Sequence, residues 1–416
     1  MNITVHRGTN EIGAACVEIE SETTRIVIDA GLPLDDSPAT LPPDIDTADA
    51  ILISHSHQDH YGLLEQLKSD VPVYMGKVAQ ALVEGARIFQ RKEALCCNFK
   101  PIEAWKPFVV GDMKITPYLV DHSAPDAFAF LVESAGKTVF YSGDFRNHGR
   151  KGEVFENLLK KPPTGVDVLL LEGTMLERDN SKYPSEDSVE EGMFQLLHDK
   201  RLALLMCSGQ NVDRLVSAYR ASCRAKRFFV VDIYTAWILE VLGRHFDTIP
   251  RMEWDRVRVL TKGRHGSRHY ATLVENPDYF VDFVRRLYSK TKPAAIDYET
   301  LGNEPDKYFV KTNDVLGLLQ NVDPPSAVVI YSMWKGYLSS EGSMSFSKTY
   351  AAVQKMENVD FEHVHTSGHA TLSTLKAMTK AISPKYLVPI HTEGKNQYVE
   401  HFSSVKMLED GEAFQI

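Results

Sequence analysis

The segment that most constrains this chain is Ile51-Leu-Ile-Ser-His55-Ser-His57-Gln-Asp59-His60-Tyr-Gly-Leu-Leu. An apolar strand runs into a small loop that places three imidazoles and a carboxylate within six residues. Packing does not account for such crowding, because His and Asp are costly to bury without partners. Metal chemistry does account for it. Imidazole nitrogen and carboxylate oxygen suit borderline divalent ions such as zinc, and a bend between the donors lets one string face two ions.

At 416 residues the chain is two to three times the usual domain length, so two domains, or one with a large insertion, are expected. Hydrophobic residues at 43% and charged residues at 25% mark a globular protein rather than a disordered one. No run approaches the ~18 uninterrupted apolar residues of a bilayer span, so no membrane partner is expected. The opening Met1-Asn-Ile-Thr-Val-His-Arg7 lacks the basic start and apolar run of a signal peptide, which points to a cytoplasmic protein. Cys16, Cys96, Cys97, Cys207 and Cys223 show no C-x-x-C spacing, which argues against a disulfide framework and a thiolate zinc site.

Short β-branched and apolar runs recur up to about Leu171, at Ile3–Val5, Arg25–Ile28, Ala50–Ile53, Lys114–Val120, Phe128–Val132, Thr138–Tyr141 and Val168–Leu171. Lys77–Glu93 carries helical spacing. After about Pro184 strands and helices alternate: Leu202–Met206 precedes Asn211–Arg224, Phe228–Val231 precedes Ala236–Arg244, and Asn313–Gln320 precedes Ala327–Tyr331. That alternation predicts a parallel α/β unit. Net charge is −10, yet 16 Lys and Arg stand against 9 Asp and Glu between Arg201 and Lys290. A basic α/β segment within an acidic chain suits an anionic partner as well as it suits ordinary solvated helix faces.

The histidine string resembles the defining motif of the metallo-β-lactamase superfamily, and the resemblance continues downstream. Tyr118-Leu-Val-Asp-His122-Ser is similar to its third-histidine motif, Tyr141-Ser-Gly-Asp144-Phe to the strand with the bridging aspartate, and Leu387-Val-Pro-Ile-His391 to the final histidine motif. The resemblance implies that His55, His57 and His122 hold one zinc and Asp59, His60 and His391 a second, with Asp144 bridging both. Leu169-Leu-Leu-Glu172-Gly-Thr, the basic insertion after it, and Thr366-Ser-Gly-His369-Ala resemble the β-CASP nucleases. Gly8-Thr-Asn-Glu-Ile-Gly13 and the Asp29-Ala-Gly-Leu-Pro33 turn look like ribonuclease J relatives. The implied architecture is α/β: a four-layer αβ/βα metallo-β-lactamase fold over residues 1–185 and 346–416, with an α/β β-CASP domain inserted at 186–345. The cleft between the two is where such a family has its active site. Ribonuclease J carries a further domain after the last motif, and only 25 residues follow His391, so assembly through that domain is not expected.

The implied activity is hydrolysis of phosphodiester bonds in single-stranded RNA by water that two zinc ions acidify, with manganese as the other metal these donors accept. His391 in the last motif goes with RNA in the β-CASP resemblance, where valine goes with DNA. Asp59 is the expected general base, His369 the donor to the scissile phosphate or leaving oxygen, and Glu172 the carboxylate that orients a ligand imidazole such as His60. Ser208, Asn211, Arg214, Arg264, Arg268 and Ser367 are the expected substrate contacts. Gln210 stands where the family's 5′-phosphate pocket has serine, and Tyr331-Ser-Met-Trp334 departs from the ribonuclease J pattern. The basic stretch Lys262–His269 reads as a flexible loop. Arg146, His148, Arg150 and Lys151, after Asp144, read either as phosphate contacts or as an exposed turn, while His363 and His365 read as packing. Endonuclease and 5′-exonuclease modes both stay open. The alternative is a dizinc hydrolase of small esters or thioesters, lactonase or glyoxalase-like; the insertion of about 200 residues before His369 argues for the long groove of a nuclease instead.

Overall fold

A computed structural model describes residues 1–35, 37–42, 44–339 and 344–416, without the side chains of Arg264, His265 and Met344. The chain forms two compact units: Met1–Glu84, Glu93–Asn180 and Ser367–Ile416 make one, and Gly85–Lys92 with Ser181–Thr366 make the other.

The first unit is built on two sheets. In spatial order, one runs Ala413–Gln415, Asn2–Arg7, Cys16–Glu20, Arg25–Ile28, Ala50–Leu52, Pro72–Gly76 and Asn98–Ile102. The other runs Tyr386–Ile390, Val168–Glu172, Lys137–Tyr141, Phe128–Ser134, Met113–Leu119 and Phe108–Val110. Alternation along the strands gives each sheet two apolar faces. The inner faces meet in one core that joins Ile3, Val17, Ile26 and Leu52 to Phe130, Val139, Leu170 and Val388. On the outer face of the first sheet, Val27, Ile51 and Val73 pack with Ala79 and Val83 of the helix Lys77–Gln90. On the outer face of the second, Phe140, Leu169 and Leu387 pack with Phe155 and Leu158 of Gly152–Lys160 and with Leu375, Met378 and Ile382 of Leu372–Ile382. The layers therefore run αβ/βα, as the motifs imply. Val168–Glu172 lies between parallel neighbours on both sides, and all five of its residues are buried. A strand covered on both faces reads as one apolar run, and this one delivers Glu172 at its carboxyl end.

The second unit holds a seven-stranded parallel sheet, ordered Ala295–Ile296, Val257–Leu260, Phe228–Asp232, Tyr308–Lys311, Leu202–Met206, Ala327–Tyr331 and Val359–His363. Asp232 caps the helix Ile233–Gly243 through the Thr235 N–H and takes the Lys311 ammonium at 2.7 Å. One expectation fails here. The basic stretch Lys262–His269 is not a flexible loop, because Gly263–Glu275 is a helix. Gly266, Thr272 and Leu273 are buried on it at helical spacing, and that packing outweighs a helix cost of ~1 kcal/mol per glycine. Among the described residues no helix is long and apolar enough to cross a membrane.

Candidate metal centre

The strand Ala50–Leu52 carries the chain into the core, and the histidine string follows on a bend and the short helix Gln58–Tyr61. Two backbone features hold that bend. A Cβ on Gly31 would lie 1.7 Å from the Asp59 carbonyl oxygen, so the Asp29-Ala-Gly turn reaches the string only because residue 31 has no side chain. Gly143, before Asp144, has φ +55° and sits against the Phe128 carbonyl, a conformation that favours glycine.

The seven residues of the implied ligand set come together. One donor atom each from His55, His57 and His122 lies within 4.8 Å of the others, and the same holds for Asp59, His60, Asp144 and His391. Asp144 faces both groups, with Oδ2 at 3.1 Å from His60 Nε2 and 3.9 Å from His55 Nε2. Glu172 and His369 form a third group with His391.

The proton positions test whether these residues suit a cation. The His122 Nδ1–H donates to the Gly368 carbonyl at 2.8 Å, which leaves Nε2 bare and 3.2 Å from His57 Nδ1. The Ser54 hydroxyl donates to Asp29 at 2.8 Å, so the Nδ1–H of His55 donates to Ser54 Oγ at 3.0 Å. That leaves His55 Nε2 also bare and 3.0 Å from the same His57 nitrogen. One proton cannot satisfy all three. The His60 Nδ1–H donates to Asp29 at 2.7 Å and its Nε2 meets a carboxylate oxygen of Asp144 at 3.1 Å, where a metal ion would take the place of the Nε2 proton. Lone pairs facing one another in a buried site call for positive charge between them. The donor set fits divalent metal ions.

The electrostatics agree. Burial, reinforced by the neighbouring imidazoles, holds His55, His57 and His122 below the usual histidine range, in the neutral form that ligates metal. Burial would also lower His60 and His369, but Asp144 and the carboxylates beside it outweigh burial and raise both. Burial would raise Asp59 and Asp144, and there the histidines prevail: His60 and His391 hold Asp59 low, and His391, His60 and His369 hold Asp144 low.

Glu172 corrects an expectation. It does not orient His60, whose ring nitrogens meet Asp29 and Asp144. Its two oxygens accept the N–H groups of Thr174 and Ala370, and one lies 3.6 Å from His369 Nδ1. That nitrogen, also 3.7 Å from Asp144, has no hydrogen-bond partner among the described residues. The residue that orients His60 is Asp29, which also accepts the Tyr141 hydroxyl at 2.6 Å and the Ser54 N–H at 2.7 Å. In the sequence Asp29 reads only as part of the Asp29-Ala-Gly-Leu-Pro33 turn. The available signal was a carboxylate ending the strand Arg25–Ile28, which pairs with the strand that leads into the histidine string. Thr174, whose hydroxyl meets His391 Nδ1 at 2.9 Å, carries no signal in the sequence.

The expected substrate contacts divide. Ser367 is nearly buried and its Oγ accepts the His369 N–H, whereas Ser208, Asn211, Arg214 and Arg268 belong to the second unit. Arg214 is not available to a substrate as it stands. It is fully buried, pairs with Glu186 at 3.0 Å, and donates to the carbonyls of Ser332 and Thr366. Arg224 is engaged by Glu190 and Glu191, and Arg227 by backbone carbonyls. The Asn211 side chain caps the helix Val212–Arg224 through the Arg214 N–H, and Ser208 is exposed. Arg268 is exposed on its helix, and the Arg264 side chain lies outside the described residues. His363 and His365 act in packing, meeting the Met333 carbonyl and Arg214.

Comparison with known proteins agrees with this geometry. Residues 24–208 match the family described as Beta-lactamase superfamily domain, and residues 358–404 match the Zn-dependent metallo-hydrolase RNA specificity domain. The chain is 22% identical over 451 residues to ribonuclease J of Helicobacter pylori (strain B128), covering all of this chain and 60% of that protein. It is 29% identical over 418 residues to ribonuclease J of Mycobacterium tuberculosis (strain CDC 1551 / Oshkosh), covering 94% and 68%. The chain thus spans about 60% of the length of the Helicobacter relative. A crystal structure of a protein of unknown function from Enterococcus faecalis V583 shares the fold, with a TM-score of 0.73 at 19% identity over 99% of both chains. The αβ/βα layers, the converging donors and these matches make residues 24–208 a Beta-lactamase superfamily domain and residues 358–404 a Zn-dependent metallo-hydrolase RNA specificity domain, in a chain similar to ribonuclease J along its length.

Proposed function

We propose that the chain is a metal-dependent ribonuclease that hydrolyses phosphodiester bonds of single-stranded RNA, with the second unit as its β-CASP domain. The observation that carries this reading is the pair of buried donor groups sharing Asp144, within a chain whose match to an RNA specificity domain spans both His369 and His391. His55, His57 and His122 would hold one ion and Asp59, His60 and His391 the other, with Asp144 between them; zinc suits these donors first, and manganese also suits them. When bound, such a pair supplies water acidified toward neutrality and offsets the charge of the phosphate.

The chain's own residues have separate tasks. Asp59 offers a carboxylate oxygen 3.4 Å from His391 Nε2 and 3.7 Å from His60 Nε2, placed to accept a proton from the attacking water. His369 directs Nδ1 toward Asp144 and Glu172, two carboxylates that favour its protonated form, so it can donate to the phosphate or to the leaving oxygen. Glu172 positions that imidazole by anchoring the Ala370 N–H. Arg268 and Lys262, both exposed, are candidates for the phosphate backbone of the substrate.

The test is cleavage of a 5′-labelled single-stranded RNA, beside the matched DNA, by zinc- or manganese-loaded protein and its Asp59→Asn variant. RNA cutting that needs metal and falls at least ~100-fold in the variant is expected. Product lengths then separate internal from 5′-end attack. Metal-loaded protein that cuts neither strand but hydrolyses a thioester would replace this reading with the small-ester hydrolase.

A further inference from the structure

Arg146, His148 and Lys151, on the turn after Asp144, take no part in the chemistry above, yet their side chains are buried or half-buried and meet backbone carbonyls. Arg146 is wholly buried, and its Nη1 donates to the Ser367 carbonyl at 2.8 Å. His148 Nε2 donates to the same carbonyl at 3.0 Å. Together they use both lone pairs of one backbone oxygen. The Lys151 ammonium donates to the carbonyls of His122 at 2.7 Å and Ala124 at 3.1 Å. The turn is itself fixed: the N–H groups of Arg146 and Gly149 donate to the Asp121 carbonyl and carboxylate, and Asn147 accepts the Thr374 hydroxyl.

The turn therefore grips two loops, one bearing His122 and the other His369, and those loops also bind each other through the His122 Nδ1–H and the Gly368 carbonyl. The gripped segment is pinned almost residue by residue. The Ser367 N–H donates to Asn180, the His369 N–H to Ser367 Oγ and the Ala370 N–H to Glu172. Loops that carry reacting groups are mobile unless their backbone groups are held in this way.

We infer that the Arg146–Lys151 turn is a positioning device: through the Ser367 carbonyl, Arg146 and His148 set where the His369 imidazole stands relative to His122 and Asp144. This role rests on the ribonuclease reading for its rate consequences. Both act through the Ser367 carbonyl, in the segment whose next two residues carry the Gly368 carbonyl that accepts from His122 and the His369 imidazole. Small misplacement of a reacting group costs rate out of proportion to stability.

The test uses zinc-loaded His148→Ala and His148→Gln acting on single-stranded RNA. His148→Ala is expected to lower kcat about tenfold, with KM within about twofold and zinc content unchanged, as for an interaction that matters mainly in the transition state. His148→Gln, whose amide N–H can reach the Ser367 carbonyl, recovers most of the loss. A second readout does not depend on turnover. In proton–nitrogen NMR of the zinc-loaded chain, the His122 and His369 ring signals move in His148→Ala and return in His148→Gln. A lowered melting temperature with kcat and ring signals unchanged, or a Gln variant as impaired as Ala, would overturn the inference. Wild-type protein that cuts no RNA would count against the ribonuclease reading alone, and the ring signals would then decide the role of the turn.

Discussion

Asp29 joins the two donor groups through one carboxylate. Oδ2 accepts from His60, Tyr141 and Ser54, and the Ser54 oxygen in turn meets His55 Nδ1, so one residue sets the tautomer of an imidazole in each group. Its φ of +63° places the side chain there, a conformation that Asp tolerates better than most residues. His391 has φ +50°, with its N–H donating to the Gly8 carbonyl, so strained backbone recurs at the site. Partners of this kind behind metal ligands typically contribute 10–100-fold in metal affinity. Asp29→Asn is therefore expected to weaken zinc binding by about tenfold or more, measured by competition with a chromophoric chelator. Affinity equal to wild type would show that Asp29 serves packing alone. The sequence revealed His55, His57, Asp59 and His60 because histidines crowded into six residues have few other uses, and the resemblance supplied His122, Asp144 and His391. The sequence hid Asp29 and Thr174 because a lone Asp or Thr in a turn has many.

At the scale of elements, apolar runs and helical spacing were legible where burial enforces them. Val168–Glu172 follows from one apolar run and is a strand of the second sheet of the first unit, on which the helix Leu372–Ile382 packs. The strand Asn98–Ile102 was not legible: it is an edge strand on which only Ile102 is buried, so little burial marks it. Basic residues misled for another reason. Charge in a sequence does not distinguish an arginine facing solvent from one paired in the interior, and the helix Val212–Arg224 buries Arg214 against Glu186 while Gly263–Glu275 leaves Arg268 exposed. The two should respond differently. Arg214→Ala is expected to cost ~3–5 kcal/mol in urea unfolding, because it strands a buried carboxylate. Arg268→Ala should leave stability nearly unchanged and reduce the salt slope of RNA binding by about 0.7, the contribution of one phosphate contact on a single strand. The reverse pattern would return Arg214 to the substrate.

Across the whole molecule, the centre draws on five stretches of chain that end strands or follow them, near residues 29, 55–60, 122, 144 and 391. Residues that contribute nothing singly become a site because the two sheets deliver their strand ends to one place. In the sequence that convergence was implied by the resemblance of the motifs to the metallo-β-lactamase superfamily, and the layered α/β architecture by the same resemblance. The hydrogen-bond directions that leave Nε2 of His55 and His122 bare, and turn Nε2 of His60 to Asp144, could come only from the fold. The most direct measurement is the zinc content of the purified, zinc-reconstituted chain and of Asp144→Ala, by mass spectrometry of the metal after removal of free ions. Two zinc ions per wild-type chain and a clear loss in Asp144→Ala are the predicted result; a wild-type chain that retains none, or a variant that retains both, would contradict the account.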